Sequence, residues 1–80
     1  MEMAKEISKE DFLKVFGNNL KETRLEKKLS YRQLAQRCDI DYSHISRIEK
    51  GEINIQLSTV LELAKGLELH PKELFHFQLD

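Results

Sequence analysis

This sequence contains a single cysteine, a single proline, three glycines and no tryptophan in 80 residues. The lone Cys38 excludes an internal disulfide, so a domain this small must be held by packing or by a partner subunit, and a reducing compartment is predicted. The scarcity of glycine and proline argues against a collagen-like or disordered chain and for a helix-rich globule. No stretch approaches the roughly 20 apolar residues of a membrane span, and the opening Met-Glu-Met-Ala-Lys-Glu lacks the apolar core of a signal peptide. A cytoplasmic protein is therefore expected. An excess of positive charge is missing too: 13 Lys and Arg stand against 14 Asp and Glu, for a net charge of -1. Bulk charge alone would not hold nucleic acid.

The apolar residues are placed at helical spacing. Residues 1–8 carry no such pattern and read as a leader, with residues 9–80 as one domain and Ser8 able to cap a helix from Lys9. Phe12, Phe16 and Leu20 recur every fourth residue, which predicts a first helix from Lys9 to about Lys28 that bends at Gly17 or starts in earnest after it. Ser30-Tyr31-Arg32-Gln33 has the form of a capping box and opens a second helix to about Cys38. Asp39, a residue type that tolerates left-handed backbone, is expected in the turn, with Asp41 capping a third helix over Tyr42–Lys50 that Gly51 stops. Leu57, Val60, Leu61, Ala64 and Leu67 predict a fourth helix, capped by Asn54 or Gln56 and ending near Gly66. Pro71 opens a fifth, and Phe75-His76-Phe77-Gln78-Leu79 alternates strictly enough to be a short strand. The fold class predicted is all-α with five helices.

The second and third helices form a helix-turn-helix pattern, with small Ala35 permitting close approach and Ile40 plugging the turn. At 100° per residue, Ile45 and Ile48 define the buried side of the third helix. The opposite side presents Ser43, Ser46, Arg47 and Lys50, flanked by Tyr42 and His44. Those groups suit a major groove: Arg47 can donate twice to a guanine edge, the serines donate or accept, and Lys50 meets a phosphate.

The stretch LSYRQLAQRCDIDYSHISRIEKG, with FGNNLKETRLEKK before it and STVLELAKGLELHPKELF after it, closely resembles the Cro/repressor-type helix-turn-helix family, also called Xre. The resemblance spans about residues 16–75 and includes Leu20, Arg24, Leu29, Leu34, Ala35, Ile40, Ile45, Ser46, Ile48, Glu49, Gly51, Ala64 and Leu67 in register. It implies a lambda-repressor-like domain from a bacterial regulator, nucleoid-associated when bound to double-stranded DNA. It also implies backbone or outer-base contacts from Tyr31, Gln36 and Asn54, and an ion pair between Arg24 and Glu49, which the helix geometry places at the core edge. The chain departs from the family at Asp39, where a glycine is usual, and at Ile55, where a proline is usual.

Catalysis finds no constellation. Cys38 lies on the apolar side of its helix and reads as a core residue, and His44, His70 and His76 lack zinc-ligand spacing. No metal, cofactor or Gly-rich phosphate loop is implied. One recognition helix spans half a site, so a homodimer on a palindromic operator is expected. Leu67, Leu69, Leu74, Phe75, Phe77 and Leu79 form the predicted dimer surface, the alternative being that they only cap the monomer core; residues 75–79, if a strand, can pair across the two-fold axis. The function expected is sequence-specific transcriptional regulation, similar to the controller proteins of restriction-modification systems. The alternative is an antitoxin or protein-interaction module that binds a protein partner. The charge count supports the first reading when divided: residues 21–50 hold eight basic and five acidic residues, a balance of +3, against five and nine, or -4, in the rest.

Overall fold

A computed structural model describes residues 6–79, so the first five positions of the expected leader lie outside the described residues. Four α-helices follow in order, α1 (Lys9–Glu26), α2 (Tyr31–Gln36), α3 (Tyr42–Glu49) and α4 (Leu57–Leu67), and a 3-10 helix over Pro71–Phe75 closes the molecule. The described residues contain no strand. The all-α class is as expected, with four α-helices rather than five.

Local chemistry sets the boundaries. Ser8 accepts a hydrogen bond from the Asp11 N–H at 3.0 Å. The capping box at α2 is complete, Ser30 Oγ accepting from Gln33 N–H at 3.1 Å and Gln33 Oε1 from Ser30 N–H at 2.8 Å. Gly51, at φ 72°, takes the left-handed position after α3, where glycine meets no steric penalty. Asp41 and Gln56 occupy N-cap positions, and neither side chain caps the helix that follows.

Three glycine and turn expectations are corrected. Helix α1 runs unbroken through Gly17, because that residue is buried where α1 crosses α3: a Cβ there would stand 2.6 Å from the Glu49 carbonyl oxygen. Gly66 likewise lies inside α4, where a Cβ would meet Leu34 Cδ1 at 2.8 Å. The left-handed residue that ends α4 is instead Glu68, at φ 59° and ψ 43°. Asp39 is not left-handed, since only Lys28 and Glu68 among the described non-glycine residues have positive φ. Its turn is held from outside, by its N–H donating to Glu62 Oε1 of α4 at 3.3 Å.

The core contains Phe16, Leu20, Leu29, Leu34, Ile45, Ile48, Val60, Leu63, Ala64, Leu67 and Leu74, with Ile40 and Ala35 packed against it. The buried side of α4 is therefore rotated from the expected one. Leu63 is fully buried, whereas Leu57 is 83% exposed and Leu61 is exposed beside it. The alternating tail is not extended either. The Phe77 N–H donates to the Phe75 carbonyl at 3.0 Å, and His76 at φ -83° and ψ 78° has the shape of an inverse γ-turn. That turn sends Phe75 and Phe77 to the same side: Phe75 packs on Phe16 at 5.2 Å between ring centroids and Phe77 on Phe12 at 6.2 Å.

Candidate nucleic-acid interface

Ile45, Ile48 and Glu49 bury one side of α3, which leaves Tyr42, Ser43, His44, Arg47 and Lys50 exposed and Ser46 half-buried. Every outward position read from the helical period is thus on the surface. Gln36 and Asn54 are exposed as well, one near the end of α2 and the other in the loop before α4. Acidic groups border the face: Asp41 precedes α3, and Glu52 Oε1 lies 3.9 Å from Arg47 Nε. At this distance and exposure the pair is worth under about 1 kcal/mol, so Arg47 is oriented by Glu52 without being committed to it.

The buried clamp beneath this face is stronger. Arg24 of α1 donates through Nε to Glu49 Oε2 at 2.7 Å and through Nη2 to Glu49 Oε1 at 3.0 Å, a bidentate pair. Its Nη1 donates to the Leu29 carbonyl at 2.7 Å, and the two residues are 5% and 7% exposed. The hydrogen bonds to Glu49 hold the Arg24 charge more firmly than that of an ordinary arginine, against the desolvation that burial imposes. No buried side-chain polar atom is left without a partner among the described residues. The Arg24–Glu49 expectation is therefore realised in the structure, and the pair fixes the end of α3 to α1.

Tyr31 differs from its expected role in one respect. It is half-buried, with Arg24 Cζ 4.3 Å from its ring centroid, so its ring is part of the clamp and only its edge remains for other contacts. One residue of the surface was absent from the sequence reading. Arg32 of α2 lies over the Tyr42 ring at 4.3 Å from the centroid. The two are ten residues apart on different helices, and no periodicity within either helix signals the pairing.

Cys38 is confirmed as a packing residue. Its Sγ donates to the Leu34 carbonyl at 3.3 Å, and burial pushes its thiol up, with Glu62 and Asp39 adding to the effect. The described residues hold no group of three metal-ligating side chains. An open depression of about 560 Å³ lies beside the turn, lined by Ala35, Cys38, Asp39, Ile40, Asp41, His44 and Thr59.

Two short helices joined by a tight turn and packed on each other, with a polar surface on the second, define a helix-turn-helix protein. Residues 20–74 match the family described as Helix-turn-helix, and the chain belongs to that family. It is 36% identical over 64 residues to the control protein C.BamHI of Bacillus amyloliquefaciens, across 79% of each chain. The restriction-modification controller protein C.AhdI of Aeromonas hydrophila superposes with a TM-score of 0.78 at 39% identity, covering 80% of this chain and 97% of that one. A second controller protein, C.Esp1396I, solved as a tetramer on its natural 35 base-pair operator, superposes with a TM-score of 0.73 at 30% identity, covering 79% of this chain and 83% of that one.

Proposed function

We infer that this chain is a non-enzymatic, sequence-specific DNA-binding transcriptional regulator of the controller type, acting as a homodimer on a two-fold operator. The observation that carries the reading is the outward face of α3, polar throughout and fixed from behind by the Arg24–Glu49 clamp. Arg47 reads a guanine edge, Ser43, Ser46, His44 and Tyr42 contact bases or the sugar-phosphate backbone beside it, and Lys50, Gln36, Asn54 and the edge of Tyr31 grip phosphates. The homology to an operator-bound controller protein supports DNA binding by this chain. No helix among the described residues is long and apolar enough to cross a membrane.

The dimer surface needs revision. Leu67 and Leu74 are 1% and 0% exposed inside the monomer, so neither is available to a partner. Leu69, Phe77 and Leu79 are half-buried, and exposed Phe75 is partly spent on Phe16. The outer side of α4 has no such internal partner. Leu57 and Leu61, one turn apart, are proposed to meet their copies across the two-fold axis, consistent with a related controller protein assembling on DNA. Leu57→Lys is expected to give a monomer by sedimentation at micromolar concentration while truncation after Leu74 shifts stability more than mass. A dimer that survives Leu57→Lys returns the interface to the tail.

Regulatory function is tested by binding to fragmented genomic DNA over a range of salt concentration. A discrete set of bound fragments, with affinity falling steeply as salt rises, is the expected result. Affinity no tighter than for random duplexes would favour a module that binds a protein partner.

A further inference from the structure

Two arginines of this chain stack on tyrosine rings, and their surroundings differ. Arg24 over Tyr31 is buried and donates to Glu49 and to a main-chain carbonyl, so its donors are occupied. Arg32 over Tyr42 is exposed on both sides of the stack, and its one hydrogen bond is a long one, from Nη2 to the Tyr42 hydroxyl at 3.4 Å. Among the described residues no carboxylate lies within ion-pair distance of Arg32. The stack joins the second residue of α2 to the first of α3 and forms one wall of a depression of about 270 Å³ shared with Ala35, Gln36, Ile40 and Asp41.

We propose that Arg32 is a specificity-determining residue of the DNA interface, held flat on the Tyr42 ring so that its free edge reads a guanine at the outer end of each half-site. The proposal rests on the reading of α3 as the recognition helix. The first residues of such a helix are those that reach base edges, and Tyr42 is the first residue of α3. A guanidinium propped on an aromatic face has lost much of its rotamer freedom before DNA arrives, and its parallel donors match the O6 and N7 acceptors of guanine. The same fork would suit a phosphate, so base reading is distinguished by position, beside the first residue of α3, and by the sequence dependence of the loss that the test measures. Arg32 is thus braced on an aromatic ring beside the first residue of α3, whereas Lys50 is an exposed residue at the other end of the helix.

The test is selection from duplexes with a randomised centre, followed by affinities for the selected sequence and for its single-base variants at two salt concentrations. Arg32→Lys keeps the charge and removes the planar fork, so it should lose most of an about ten- to hundredfold preference for guanine at one symmetric position while leaving affinity for random DNA unchanged. Tyr42→Phe retains the ring and should retain that preference. Tyr42→Ala added to Arg32→Lys should cost no further guanine preference at that position, the loss of Tyr42's own contact falling on a neighbouring base pair or on all sequences alike. An unchanged preference in Arg32→Lys overturns the proposal. So does an equal loss on all sequences in Arg32→Ala with a salt slope smaller by about 0.9, which would make Arg32 a phosphate contact. If the unsubstituted protein selects no sequence, the failure lies in the reading of α3 itself. Unchanged melting temperatures would establish that each variant is folded.

Discussion

Arg24 and Glu49 take two charges out of water at the place where α3 must be held against α1. The bidentate geometry and the third bond to the Leu29 carbonyl satisfy the guanidinium, which is what makes the burial tolerable. Removing one partner strands the other. Glu49→Ala is therefore expected to lower stability by about 3–5 kcal/mol in urea unfolding, and to weaken DNA binding only in proportion to the folded fraction. An unchanged midpoint would contradict the structural role. Cys38 allows a second check on single residues. Burial holds its thiol protonated in the folded state, so this contribution to stability is full below the pKa of an unfolded thiol, about 8.5, and declines as pH rises past it. Alkylation of the folded protein should accordingly be slower at pH 8 than that of an unfolded peptide thiol, and the gap should close in denaturant. Both residues were legible in the sequence, Cys38 from its place on an apolar stripe and the ion pair from family resemblance combined with the helical period. Arg32 was not, because its partner Tyr42 lies across the turn and a stack between helices leaves no spacing signal.

At the level of elements, the close crossing of α1 and α3 depends on the missing side chain at Gly17. Helix propensity alone would favour alanine there by about 1 kcal/mol. The Cβ would stand 2.6 Å from the Glu49 carbonyl oxygen, a main-chain atom of a locked helix, and overpacking of that kind costs about 1–3 kcal/mol. Gly17→Ala is expected to destabilise on balance, read as a lower melting temperature, and a stabilised variant would show that the crossing can relax. This is also where sequence reasoning reached its limit. A glycine inside a helical period signals either a bend or a close approach, and only the neighbouring helix decides which. The same holds at Gly66, a residue type that suits a helix terminator as well as a close approach, and at the tail, where alternation of Phe75, Phe77 and Leu79 fits a strand and a γ-turn that wraps α1 equally. The rotation of α4 has the same cause. Its apolar residues cover enough of the circumference that Leu57 and Leu61 could be chosen for the core in place of Leu63. The local signals at Ser8, Ser30 and Gly51 match the structure, whereas Asp41 and Gln56 hold N-cap positions without a side-chain bond to the helix.

For the whole molecule, the near-zero net charge gains meaning from its arrangement. The positive balance falls on residues 21–50, the segment that contains the proposed recognition surface, while Asp41 and Glu52 border that surface. This arrangement predicts modest affinity for DNA in general, with base contacts and a second subunit supplying the rest. The fold was legible at this scale because a helix-turn-helix needs only a small set of apolar positions in fixed register. The dimer surface was less so, since burial of Leu67 and Leu74 in the monomer is decided by packing and not by apolar density in the sequence. The central claim, that α3 reads bases with one residue and grips the backbone with another, is tested most directly by comparing Arg47→Ala and Lys50→Ala on a selected operator and on random duplexes. Arg47→Ala should lose about 1–3 kcal/mol at particular base pairs and little on random DNA, while Lys50→Ala should weaken all sequences alike and reduce the salt slope by about one. Equal losses from Arg47→Ala on every sequence would contradict base reading by this helix.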